Sequence, residues 1–79
     1  MTKTLSELTE NDYVVDQWGN LHDIVKINEE TIDTYCYHKE KGNGSGQFII
    51  SQQETYNTVS IEEAISFIQS NIRKTIGAV

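Results

Sequence analysis

The chain has 79 residues, with twelve acidic and six basic side chains, a formal net charge of −6 and an apolar fraction of 37%. That composition is apolar enough to fold. The length leaves room for one small domain, residues 1–79, and excludes a dinucleotide fold or a barrel enzyme, because a chain this short buries only about 60% of its unfolded surface. No apolar run reaches the roughly 18 residues of a membrane span, the first residues lack the apolar stretch of a secretory signal, and one cysteine cannot form an internal disulfide, so the expected address is cytoplasmic.

Residues 12–16, Asp-Tyr-Val-Val-Asp, are rich in β-branched and aromatic types and read as a first strand. Gly19 and Asn20 tolerate positive φ and supply a hairpin turn. Residues 21–27 form the second strand, polar Asn28, Glu29 and Glu30 the next turn, and residues 31–38 the third strand. Period two puts Ile32, Thr34 and Cys36 on one face of it and Asp33, Tyr35 and Tyr37 on the other. Residues 39–46 contain three of the five glycines and read as a mobile loop. Residues 47–50 read as a fourth strand. Residues 55–59 read as either a short fifth strand or an irregular connection.

The last element is a helix over about 61–73. Ser60 and Glu63 have the spacing of a capping box. Ile61, Ala64, Ile65, Ile68 and Ile72 recur at helical spacing as a stripe expected to dock on the core, flanked by Phe67. Glu62 and Glu63 complement the start of the dipole, Arg73 and Lys74 its end, and Gly77 is the expected stop.

The expected fold is α+β and mainly β. Four to five short antiparallel strands make either a small curled, SH3-like barrel closed at one end by the helix, or an open sheet with the helix across its apolar face. Residues 8–16, Leu-Thr-Glu-Asn-Asp-Tyr-Val-Val-Asp, resemble the first strand of many SH3-like barrels. That resemblance covers about a tenth of the chain and bears on the fold alone.

No catalytic pattern is present, and the expectation is a protein that is not an enzyme and needs no cofactor. Residues 42–46, Gly-Asn-Gly-Ser-Gly, lie between strands and lack the lysine and helix N-terminus of a phosphate site. Cys36 and His38 share a strand face, and His22 falls near residue 38 if the second and third strands pair. With Asp23 these make a zinc-like donor set, but at no familiar ligand spacing. A buried apolar thiol is the simpler account of Cys36.

Charge is the most informative feature. Residues 1–33 hold eight acids against two bases, a net of −6, and residues 34–79 hold four of each. Asp16 and Asp23 are expected to approach each other near the first hairpin turn. An acidic chain disfavours direct nucleic-acid binding, which needs a basic surface. The resulting expectation is a small non-enzymatic protein-binding domain whose partner has a basic surface. Its contact residues would be Asp16, Trp18, Asp23, Glu29, Glu30, Asp33, Tyr35 and Tyr37. Size and charge are similar to those of phage-encoded inhibitors of host nucleic-acid machinery, including anti-CRISPR proteins and DNA mimics, which occupy cationic grooves. The alternatives are an SH3-like adaptor or accessory subunit that binds through Trp18, Tyr35 and Tyr37, and a metal-binding module using Cys36 and His38. Oligomeric state is not readable from the sequence.

Overall fold

The computed structural model describes residues 1–77 and the side chains of residues 1–71. Six strands build one antiparallel sheet: β1 (Thr2–Thr4), β2 (Tyr13–Val15), β3 (Leu21–Ile27), β4 (Thr31–His38), β5 (Gly42–Ile49) and β6 (Thr55–Val59). Their order across the sheet is β1-β6-β2-β3-β4-β5. Short 3-10 turns, Leu5–Glu7 and Ile50–Gln52, interrupt the connections from β1 to β2 and from β5 to β6. Helix α1 (Ile61–Gly77) follows β6. Among the described residues, no helix is long and apolar enough to cross a membrane.

The mainly β fold with a C-terminal helix is as expected, and residues 55–59 do form a strand. Two expectations change. The strands among the described residues number six, because Thr2–Thr4 pairs with β6 through Thr2↔Asn57 and Thr4↔Thr55, a three-residue pairing too short to show as a periodic pattern. The expected loop at 39–46 is mostly strand, since β5 pairs with β4 from Thr31↔Ile49 to His38↔Gly42. Only residues 39–41 turn, with Gly42 at φ +82°. The turn is pinned by His38, whose Nδ1 accepts from the amides of Glu40 (3.1 Å) and Lys41 (3.0 Å).

The sheet is open by its hydrogen bonding, with β1 and β5 at its edges. It is also curled. Phe48 on β5 and Tyr56 on β6 meet edge to face at 5.8 Å, although three strands separate β5 from β6 in the sheet. The concave face holds the core: Leu8, Val14, Ile24, Ile32, Phe48 and Tyr56, with Leu5, Ile27 and Ile50 packed against them. Each fully buried aliphatic side chain of this kind contributes about 1.5–3 kcal/mol.

Helix α1 lies along β3 and β4, on the opposite, convex face. Asn71 reaches Asn43 Oδ1 at 3.0 Å and the His38 carbonyl at 3.3 Å. Leu21 stands on that face and is fully buried, though outside the concave cluster. The Ser60 hydroxyl accepts from the Glu63 amide as expected (3.2 Å), but the Glu63 carboxylate accepts from the Ser60 hydroxyl (3.4 Å) rather than from the Ser60 amide. The docked stripe keeps part of the expected one, with Ala64 buried and Phe67 and Ile68 half-buried, and departs from it elsewhere. Ala64 and Asn71 are buried, whereas Ile61 and Ile65 are 64% and 47% exposed. The helix therefore docks through the face of Ala64, Phe67, Ile68 and Asn71, and turns Ile61 and Ile65 outward. The roles expected of Ile72, Arg73, Lys74 and Gly77 lie outside the described side chains.

Candidate functional site

The first hairpin is built on Asp16. Its Oδ1 accepts from the amides of Trp18 (3.0 Å) and Asn20 (2.9 Å), and its carbonyl accepts from the Gly19 amide (3.0 Å). Gly19 sits at φ +80°, where a β-carbon is strained. Asp16 Oδ2 lies 2.9 Å from His22 Nε2, and His22 Nδ1 lies 2.7 Å from the Thr34 hydroxyl. Assigning the ring proton to Nε2 lets His22 donate to the carboxylate and accept from Thr34. Burial raises the Asp16 carboxyl, but the bonds from His22, Asn20 and Trp18 outweigh it and hold the carboxyl below its ordinary value.

Carboxylate, imidazole and hydroxyl stand here in the order of an activated nucleophile. The chemistry does not follow, because Thr34 is buried and Gly46 lies against it. The network instead locks a turn to the core. Cys36 joins it, with Sγ 3.6 Å from His22 Nε2, and burial followed by the Asp16 charge pushes its thiol up. The strand register pairs His22 with Cys36, not with His38 as the sequence suggested. His38 caps the β4–β5 turn instead, because the turn amides leave it no freedom to reach Cys36. Among the described residues, no group of three or more His, Cys, Asp or Glu side chains is placed to hold a metal ion.

The eight residues singled out from the sequence do not form one surface. Asp16 is consumed by the turn. Asp16 and Asp23 do not meet: Asp16 faces His22, while Asp23 lies between Tyr13 and Tyr35 in a cross-strand row on the convex side. Trp18 is 72% exposed and overhangs a cleft of about 600 Å³ that Phe48, Ile49 and Gln53 help to line. Glu29 and Glu30 are exposed at the β3–β4 turn. Asp33 accepts from Gln47 (3.1 Å) and Asn28 (3.1 Å), which hold its carboxyl below the ordinary value.

What the structure brings together is Tyr13, Asp23, Tyr35 and Tyr37. Tyr35 and Tyr37 meet edge to face at 5.2 Å. Burial raises the Tyr37 hydroxyl, and the nearby Asp23, Tyr35 and Tyr13 add to the effect. Burial also raises the Asp23 carboxyl, and no hydrogen bond or ion pair to it is found among the described residues. Val25 and Tyr35, 58% and 41% exposed, continue the surface into a shallow hollow beside Ser45 and Gln47. Sequence reasoning missed Tyr13 and Val25. Tyr13 joins the row only through register, and Val25 shares the Asp23 face by the alternation of β3, beside the bulge between Ile24 and Lys26. Comparison of the chain with family models, with curated proteins and with solved structures gives no match.

Proposed function

We propose that this is a small, non-enzymatic, intracellular protein-binding domain whose convex tyrosine–carboxylate face takes a cationic side chain of a protein partner. The observation that supports this reading is Asp23. It is a half-buried carboxylate with no cation beside it among the described residues, flanked across the strands by two tyrosines. A carboxylate in that setting is destabilised by desolvation, and a partner's lysine or arginine relieves it. The same cation gains attraction from the Tyr35 ring, an effect of about 0.5–1 kcal/mol at an exposed site. A partner that uses its cationic groove to hold phosphates would be blocked by such contact, as in a phage-type inhibitor. The free, buried thiol of Cys36 suits a reducing compartment.

The same proposal includes an SH3-like character for β2 to β6. The last of these five strands returns to pair with the first, a 3-10 turn precedes it, and the curl brings Phe48 onto Tyr56.

Titration of the labelled protein with a lysine- and arginine-bearing peptide tests the face. Amide shifts should concentrate at Tyr13, Asp23, Tyr35 and Tyr37, weaken steeply with added salt, and vanish in Asp23→Asn. Shifts confined to the Trp18 cleft, insensitive to salt and unchanged in Asp23→Asn, would transfer the function to the adaptor reading.

A further inference from the structure

Strand β5 is an edge that nothing in its sequence protects. Folded proteins guard edge strands by making them short, by placing charges or proline on them, by bulging them or by covering them. The other edge, β1, follows this rule: it has three residues, and its central residue is Lys3. β5 has eight residues, Gly-Asn-Gly-Ser-Gly-Gln-Phe-Ile, with neither charge nor proline. Its register with β4 is unbroken over eight pairs. Helix α1 reaches Asn43 from the face, and among the described residues no strand pairs with the outer side of β5.

We infer that β5 pairs antiparallel with β5 of a second copy of this chain, joining two six-stranded sheets into one. Charge favours a second copy over a cationic peptide at this edge. The chain's whole excess of −6 lies in residues 1–33, and between residues 34 and 59 Lys39 and Lys41 balance Glu40 and Glu54. The β5 edge is thus the neutral part of an acidic molecule, where two copies approach with least repulsion. Antiparallel pairing also sets the Lys39–Lys41 turn of each copy beside the end of β5 that leads to Glu54 in the other. A two-fold axis normal to the sheet keeps each face continuous, so opposed residues share a face. Centred on Ser45, the axis puts Asn43 opposite Gln47 of the second copy, a pair of amides able to bond each other, with Gly44 opposite Gly46. The hollow at Tyr35, Ser45 and Gln47 would then adjoin its own copy across the axis.

Sedimentation over a range of concentrations, with no other protein present, tests the pairing. The mass should rise from 9.0 kDa towards twice that value, and β5 amides should become more protected from hydrogen exchange as concentration increases, while β1 amides do not. Ser45→Lys, at an exposed position that meets its own copy on the axis, should hold the chain at monomer mass, because like charges opposed in a sheet repel, and Gln47→Lys, also exposed but opposite Asn43, should weaken the dimer by removing the amide pair. Asp23→Asn should dimerise normally, which separates this inference from the proposed binding face. A wild-type chain that stays monomeric into the millimolar range, or a dimer that survives both lysine variants with unchanged β5 exchange, would overturn the inference.

Discussion

His22 and Asp16 show how polar side chains can be spent on shape. His22 stands at an inward position of β3, tilted against Phe48 with ring centroids 4.5 Å apart, and every ring nitrogen has a partner. Removing the charged acceptor leaves a buried donor, so Asp16→Asn should destabilise the fold by about 1–3 kcal/mol in denaturant melts. The pH dependence has a definite sign. The Asp16 carboxyl lies below its unfolded value in the native state, so its contribution is present above the ordinary carboxylate range and is lost as pH falls through the lowered folded value. Asp23 has the opposite sign: its carboxyl is raised, so its ionisation above the ordinary range weakens the fold. Asp23→Asn should therefore leave thermal stability at neutral pH equal or higher. Gly46 is needed for packing, not for backbone freedom. A β-carbon there would stand 2.6 Å from Thr34 Oγ1 and 3.1 Å from both Cys36 Cβ and His22 Cε1. Gly46→Ala should cost about 1–3 kcal/mol by overpacking, seen as a lowered midpoint in thermal melts.

At the scale of elements, the helix and the β4–β5 hairpin teach opposite lessons. The cap at Ser60 was legible because it is a local pattern, and Ser60→Ala should cost about 1 kcal/mol. The docking face was not legible, because five apolar positions at helical spacing leave the rotation of the helix about its axis undetermined by some tens of degrees. Ile65→Ala should accordingly change stability by less than about 1 kcal/mol, since its side chain is half in water, whereas Ile32→Ala in the concave core should cost about 2–5 kcal/mol. Comparable losses in chemical denaturation for the two variants would show that the helix docks through Ile65 after all. In the hairpin, Gly42, Gly44 and Gly46 carry a loop-like composition into a regular strand. Pairing with β4, whose Ile32, Thr34 and Cys36 set the inward face, overrides that composition.

Across the whole molecule, the acidic excess is dispersed. Asp12 is paired with Lys3 at 2.9 Å, Glu7 accepts from the Thr4 amide at 3.0 Å, and Asp16 and Asp33 are bonded within their own hairpins. Of the eight acids in residues 1–33, Asp23, Glu29, Glu30 and Glu10 have no side-chain hydrogen bond or ion pair among the described residues, and these are the ones the proposed face would use. A combined Asp23→Asn, Glu29→Gln, Glu30→Gln variant should keep the parent's circular dichroism and melting behaviour while losing most of its salt-sensitive affinity for a basic peptide. Adding Asp16→Asn should instead unfold a measurable fraction of the chain, because that carboxylate belongs to the hairpin.

The sequence by itself determined the strand periods, the inward set Ile32, Thr34 and Cys36, the turns at Gly19 and Glu29, and the start of the helix. These rest on interactions between residues a few positions apart, which composition and period encode directly. The tertiary structure alone decided that His22 faces Cys36, that Asp16 turns inward while Asp23 lies between two tyrosines, that β1 closes on β6, and that β5 is left as an edge. Each depends on register and curl, which are set when distant side chains such as Phe48 and Tyr56 pack together, and no local pattern carries that choice.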